Sequence, residues 1–258
     1  MSRRIARIGV PALAVLALAG CGSSSKTTSS SSSAPSSTSK VAATAVDPAI
    51  EATVPAKVKS KGTLNVASEA QYAPNEFVAP DGHTVIGMDA DLITAIAKTM
   101  GLKVNIINSN FETIIPGLAA GRYDLGVSSF TDTKEREKTV DFVDYYQAGI
   151  SFYAKTSENP KVSTVGDLCG KTVAVEKGTT EQEESEAQDK VCKKEGKKAV
   201  NILSFPGQNP VNLAVSSGRA ELGMADSPVV DYQVQQSKGQ FKLLCKCYGF
   251  APYGIAKP

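Results

Sequence analysis

Histidine occurs once, at His83. That removes the usual ingredients of a histidine-built zinc site and of a serine–histidine–acid triad, so any chemistry must run on carboxylates, tyrosine, lysine, arginine or cysteine. Two stretches carry such groups at comparable places. G-R-Y-D-L-G-V-S-S starts at Gly121 and G-R-A-E-L-G-M-A-D starts at Gly218, 97 residues later; the first ends in Ser128 and Ser129, the second in Asp226. Ligands of open α/β sheets bind beyond the carboxyl ends of strands, which makes these end residues the ones to inspect. After Ser129, Thr131 or Thr133 can cap a short helix and bring Arg136 back towards the strand end. Taken alone, Arg136 reads better as a solvated charge in the run Lys134–Lys138. Asp226, before Ser227-Pro228, reads also as a helix cap.

The elements that must hold these groups alternate between short apolar strands and amphipathic helices, the pattern of an α/β fold. Thr63–Ala67 reads as a strand. Asp89–Met100 puts Leu92, Ile93, Ile96, Ala97 and Met100 on one helical stripe, with Gly101 as its stop. A strand is expected over Val104–Ile107, then a helix through Pro116 and Leu118 to Gly121, then a strand over Leu125–Ser128. V-N-I-I at Val104 returns as V-N-I-L at Val200, 96 residues on. With the first repeat this implies two similar α/β lobes; solenoid repeats are shorter and more numerous. Arg122 and Arg219 stand at the strand entrance inside the repeat and read as structural.

The 258 residues are 41% hydrophobic and 21% charged, enough apolar material for one or two globular domains. Arg3, Arg4 and Arg7 precede an apolar run from Ile8 to Ala19, a secretory signal too short to span a bilayer. Without those three, 28 bases become 25 against 26 acids. That balance argues against a nucleic-acid partner, which calls for a basic face. The run ends Leu18-Ala19-Gly20-Cys21, which resembles the lipobox of bacterial lipoproteins. It implies cleavage after residue 20 and acyl chains on Cys21, which anchor stably when there are two or more. From Gly22 to Lys40, 14 of 19 residues are serine or threonine, a composition that cannot offset the entropy of ordering. Residues 21–57 are expected to be a tether, reaching ~30–36 Å if flexible throughout.

The stretch S-S-F-T-D-T-K-E-R from Ser128, with Asp141-Phe142 downstream, resembles the signature of family 3 solute-binding proteins. Gly87-Met88-Asp89-x-Asp91-Leu92, Gly178-Thr179-Thr180, Ala225-Asp226-Ser227 and Tyr253-Gly254-Ile255-Ala256 agree with it. The resemblance implies a two-lobed, type II periplasmic-binding-protein-like (Venus-flytrap) fold with a hinge of crossing strands. The lobes would be residues 58–152 and 153–247, and residues 248–258 a strand returning to the first lobe. Family members continue past that strand with a helical segment, which this sequence does not show. The implied function is capture of a polar amino acid for an ABC transporter permease, by a monomer using no cofactor or metal. It would act on the outer face of the cytoplasmic membrane or in the periplasm.

Site roles follow from the same resemblance. Arg136 would fork onto the ligand's α-carboxylate, a geometry that only guanidinium supplies. Ser129 and Thr131 would hydrogen-bond that carboxylate beside Ser128, Thr179 or Thr180 would add donors from the other lobe, and Asp226 would hold the α-ammonium. Tyr72 and Phe111 would sandwich the side chain or serve as core. Glu69 and Glu176, if both face the cleft, favour arginine, lysine or ornithine; if either turns away or pairs with Lys177, glutamine fits. An enzyme resembling cyclohexadienyl dehydratase, with Glu69 or Glu176 as its acid, is the alternative, along with a sensing module. Asp226 separates the first, because prephenate has no amine.

Four further cysteines fall in the second lobe, an even number that suggests disulfides outside the cytoplasm. Cys169 before a strand and Cys192 at the end of the following helix could close a bridge. Cys245 and Cys247 are expected on one face of a strand, where a bridge would be strained; free thiols are the alternative. Cys-Lys-Cys lacks the spacer of a zinc site.

Overall fold

The computed structural model describes residues 44–258; the expected signal segment, Cys21 and most of the expected tether lie outside them. The described end of that tether differs from expectation. Helices α1 (Pro48–Thr53) and α2 (Ala56–Lys61) occupy it. Asp47 accepts the N–H groups of Ala49 and Ile50, and Val54 packs into the core with Leu64, Ile93 and Ile255. One buried valine and a side-chain cap suffice to order a segment whose composition reads as loop.

The first lobe continues through β1 (Thr63–Ser68), a small antiparallel sheet of β2 (Gln71–Tyr72), β3 (Glu76–Val78) and β4 (Val85–Ile86), then α3 (Met88–Thr99), β5 (Lys103–Asn108), α4 (Phe111–Ala119) and β6 (Leu125–Gly126). The long strand β7 (Asp141–Lys155) leads into the second lobe, made of β8 (Thr172–Glu176), α5 (Thr180–Lys194), β9 (Asn201–Phe205), α6 (Gln208–Ser216), β10 (Leu222–Asp226), α7 (Ser227–Gln236) and β11 (Phe241–Leu243). Strand β12 (Tyr248–Lys257) returns alongside β7. The main sheet runs β5-β1-β6-β12-β7-β10-β8-β9, with β11 on β7. Pairing is parallel within each lobe's β1–β5–β6 or β8–β9–β10 set and antiparallel where β7 and β12 join them.

The internal repeat has a structural cause at each letter. Gly121 and Gly218 both take left-handed backbone, φ 69° and 78°, after a helix, a conformation that costs glycine least. The acids Asp124 and Glu221 do one job: Asp124 accepts the N–H of Asn65 at 2.6 Å and Lys61 Nζ at 2.5 Å, and Glu221 accepts the N–H of Thr172 at 3.0 Å and Lys171 Nζ at 3.2 Å. The second glycines have no room for a side chain, since a Cβ on Gly126 would lie 2.9 Å from Ile114 and one on Gly223 2.5 Å from the Tyr153 ring. Arg122 and Arg219 each lie over a ring, of Tyr123 and Phe205.

Four hydrophobic clusters fill the lobes, and two of them hold the sheet to its helices on one side of each lobe. In the first, Val66, Ile93, Ala97 and Leu102 are buried between sheet and α3. In the second, Phe152, Leu168, Val173, Val175 and Leu222 surround the Cys169–Cys192 disulfide. The other two cysteines are placed differently from expectation. Cys245 and Cys247 lie in the loop between β11 and β12, because the strand ends at Leu243 and Cys245 turns to pack on the second core.

Candidate functional site

The strand ends converge on one cleft between the lobes. Its walls include Tyr72, Phe111, Ser129, Thr131 and Arg136 from the first lobe and Glu176, Thr179, Thr180, Glu181 and Asp226 from the second. The cavity has a volume of about 30 Å³. At roughly 10–15 Å³ per water centre this holds a couple of waters, so a larger guest requires the lobes to part.

Arg136 opens a single 3-10 turn, with its N–H donated to Thr133 Oγ1 at 3.2 Å. Thr133 thus takes the first N–H of the turn, whose cap position is Glu135, and Thr131 contributes its carbonyl, which accepts Nη1 at 2.7 Å. Nη2 crosses the cleft to the carbonyl of Gly178 at 3.1 Å. The guanidinium carbon lies 5.2 Å from the centre of the Phe111 ring and 5.6 Å from that of Phe130, and the two rings stack at 4.5 Å. Burial lowers the arginine's pKa, opposed by Glu183, Glu181 and Asp226. Tyr72 meets Phe111 edge-on at 5.9 Å.

Opposite stand carboxylates. Asp226 ends β10 as the N-terminal residue before α7, and Glu181 lies in the first turn of α5. Burial, then their closeness to one another, pushes Asp226 well above the usual carboxylate range, and burial also raises Glu181. Glu176, at the end of β8, is 2% exposed, and neither carboxyl oxygen has a hydrogen-bond partner among the described residues. Burial pushes it up to about 9, with Glu69 beside it adding to the rise. The Tyr72 hydroxyl is likewise buried without a partner. An unpaired buried acid costs several kcal/mol, about 1–3 or more, unless it is protonated or finds a partner.

Three expected contacts turn out to be spent within the protein. Glu69 is 1% exposed and absent from the cleft wall; its oxygens accept Gln71 Nε2 at 2.5 Å and the Phe111 N–H at 2.9 Å. Ser128 Oγ accepts the Glu69 N–H at 2.8 Å, beneath the wall. Ser129 lines the cleft with its backbone at φ 47°, and its polar groups are engaged. Its N–H goes to Asp89, and its hydroxyl donates to Glu76 while accepting Asn75 Nδ2. Thr179 also has its hydroxyl engaged, donating to the Glu176 carbonyl and accepting the Gln182 N–H as the cap of α5. Thr180 Oγ1 is 3.3 Å from Glu181.

Sequence reasoning missed Glu181, Gln208, Met224, Ala225 and Val229 in the wall. Gln208 was within reach of the repeat: it opens α6 as Phe111 opens α4, 97 residues apart. Glu181 is hidden among the acids of Glu181–Glu186, of which it alone is buried.

Two further contacts tie the lobes together. Lys177 Nζ lies 2.7 Å from Glu112, an exposed pair of small energetic weight. The Asn209 N–H donates to Gln71 Oε1 at 3.0 Å. Among the described residues no cluster of His, Cys, Asp and Glu is placed to hold a metal ion, and no helix is long and apolar enough to cross a membrane.

Residues 64–238 match the sequence model described as bacterial extracellular solute-binding proteins, family 3. The arginine-binding protein ArgT of Corynebacterium glutamicum is 34% identical over 212 residues, 82% of this chain and 69% of that protein. A probable histidine-binding protein of Campylobacter jejuni is 34% identical over 48% of each chain, so the match spans about half of that relative. The structure of an arginine-bound, truncated ArgBP from T. maritima superposes with a TM-score of 0.72 at 30% identity, covering 78% of this chain and 90% of that one.

Proposed function

Because the chain belongs to family 3 of the bacterial extracellular solute-binding proteins, we propose that it captures a basic amino acid, arginine first, between its lobes and delivers it to an ABC permease. The observation that carries this reading is the charge of the cleft wall: Glu176, Glu181 and Asp226 face one cation, Arg136. Asp226 and Glu181, both raised by burial and the first also by its neighbour, hold one proton between them, and a ligand with one carboxylate and two cationic groups then neutralises that set. Its α-carboxylate lies on Arg136 in place of the internal carbonyls, and its α-ammonium on Asp226 and Glu181. Its side-chain cation reaches Glu176, alongside the Tyr72 and Phe111 rings, whose faces attract cations. Glu69 has turned away, the condition under which glutamine fits, but Glu181 stands in the wall in its stead; glutamine offers one cation fewer and leaves Glu176 holding a proton. Arginine-binding relatives and arginine-bound structural neighbours support this choice.

Binding is the whole of the chemistry. A ligand that touches both walls favours the closed form by its extra contacts there, and the closed form is what a permease reads. In the full reading, acyl chains on Cys21 hold the protein at the outer face of the membrane, and the serine-rich segment is its tether. Thermal melting against the twenty amino acids and ornithine tests the ligand class. A ligand at 100 times its Kd adds about 2.7 kcal/mol to stability, so a rise confined to arginine, lysine and ornithine supports the reading. A rise with glutamine alone overturns the role of Glu176.

A further inference from the structure

We propose that Gln71 is a positioning residue that caps helix α6 across the cleft, so that closing the lobes completes that helix, and that Glu69 sets which end of the Gln71 amide faces it. The inference rests on the ligand-capture reading of the same cleft, although neither side chain lines the cavity around Arg136.

A helix leaves its first N–H groups without internal partners, and here the cap position is Gly207, which has no side chain to offer and makes no capping bond. The missing acceptor comes from the other lobe: Gln71 Oε1 takes the Asn209 N–H at 3.0 Å, from 138 residues earlier in the chain. Gly207 has extended backbone, φ −173°, that any residue adopts. What keeps it small is contact, since a Cβ there would lie 2.6 Å from Gln71 Nε2 and 2.7 Å from Oε1. The glycine is thus the socket for the glutamine amide.

The amide has two ends, and only one fits. Its Nε2 donates to Glu69 Oε1 at 2.5 Å, while the other carboxyl oxygen is held by the Phe111 N–H at 2.9 Å. Burial raises Glu69 to about 7; above that pH its carboxylate only accepts, so with one oxygen held by Phe111 it draws the NH2 towards the other and leaves the carbonyl oxygen for Asn209. A reversed amide would set N–H against N–H. The oxygen also meets the positive end of the helix. This bond forms only when the lobes are together, so it stabilises the closed form whatever ligand is inside. Its loss therefore weakens all ligands by one factor, whereas changes at Glu176 reorder them.

The test is a double-mutant cycle of Gln71→Ala and Gly207→Ala, read by arginine calorimetry, with hydrogen exchange at the Asn209 amide. Gln71→Ala weakens arginine and lysine equally, about three- to tenfold by the usual worth of a cap. Gly207→Ala weakens them at least as much, because its methyl meets the glutamine. The double variant is no weaker than Gln71→Ala, because the obstacle has gone. Glu69→Gln behaves like Gln71→Ala, since its own NH2 turns the Gln71 amide round. Arginine protects the Asn209 amide in the wild type and not in Gln71→Ala. Additive losses, or equal protection in both proteins, overturn the proposal; matching melting curves exclude misfolding as the cause. If the wild type binds no basic amino acid, the ligand reading fails on its own. The cap is then judged by the interlobe distance of the unliganded proteins, measured between two spin labels, which must lengthen in Gln71→Ala for the proposal to stand.

Discussion

Arg136 reaches the cleft beside the stacked rings of Phe111 and Phe130, with both ends of its fork on carbonyl oxygens. Neutral acceptors are weaker than an ionised carboxylate, so a ligand's α-carboxylate displaces them favourably. Lysine in its place keeps a charge but loses the planar fork and the stacking. Arg136→Lys should weaken arginine at least about 30-fold, roughly the 2 kcal/mol or more lost when a buried charge pair is broken on one side; calorimetry retaining the wild-type Kd would remove Arg136 from the site.

Glu176 and Glu69 give a second prediction. Both carboxyls lie above their ordinary value, at about 9 and about 7, chiefly through burial. Between the unfolded value near 4.5 and these, the folded protein holds protons that the unfolded chain has released. Stability from these groups is therefore greatest at low pH and falls as pH rises towards 9. The unliganded protein should melt lower at pH 8.5 than at pH 6, and Glu176→Gln should flatten that slope. A ligand cation beside Glu176 ionises it, so arginine binding at pH 7.5 should expel a proton, detected as a dependence of the binding heat on the buffer. Equal heats in phosphate and Tris would count against a cation at Glu176.

At the scale of elements, the disulfide ties the turn before β8 to the end of α5 across 23 residues. Closing a loop of that size is worth about 3 kcal/mol in chain-entropy terms. The Cys169→Ser/Cys192→Ser variant should lose about that much in urea unfolding while keeping its ligand ranking, because neither cysteine lines the cleft. The elements that the sequence made legible are those with strong periodicity. The expected helix over 89–100 is observed over 88–99, and the strand expected over 104–107 is observed over 103–108. The repeat letters were legible because each is fixed by backbone or contact. The β2–β4 sheet was not read, since strands of two and three residues carry no period. Strand β6 stops at Gly126, two residues short of expectation, and the backbone then turns at Ser129. That turn is why a serine read as a ligand donor spends its hydroxyl on Glu76. Asp226 could be read as a cleft residue from its position after a strand, whereas Thr131, Arg136 and Glu176 were read only through the family resemblance. Side-chain direction, which withdrew Glu69 and Ser128, is decided by packing that no local pattern encodes.

For the whole molecule, the lobes are two readings of one plan. Asn65 and Thr172 are paired with Asn105 and Asn201 in the same register, and each accepts that asparagine's Nδ2 at 3.2 Å. The step of 107 residues from Asn65 to Thr172 also takes Glu69 to Glu176, so equivalent strand ends supply both acids, one spent within its own lobe and one in the cleft wall. Arginine should shrink the molecule, because only the closed form satisfies both walls; a radius of gyration unchanged on arginine addition in solution scattering would deny closure.

The ladder between β7 and β12 is not uniform. Its register shifts between Tyr248 and Ala251, where Gly149 lies so close to the Tyr248 carbonyl that a Cβ would sit 2.5 Å from it and Gly249 takes φ 63°. Rungs are missing there and present on either side, at Ile150 and from Ala148 towards Asp141. A second shift falls between Tyr253 and Gly254, and a pair of strips held elsewhere along its length bends most readily at such interruptions. The stiff stretches on either side carry the lobes as whole parts, so a change of spacing at the cleft is gathered into a few residues of two strands and not spread through either core.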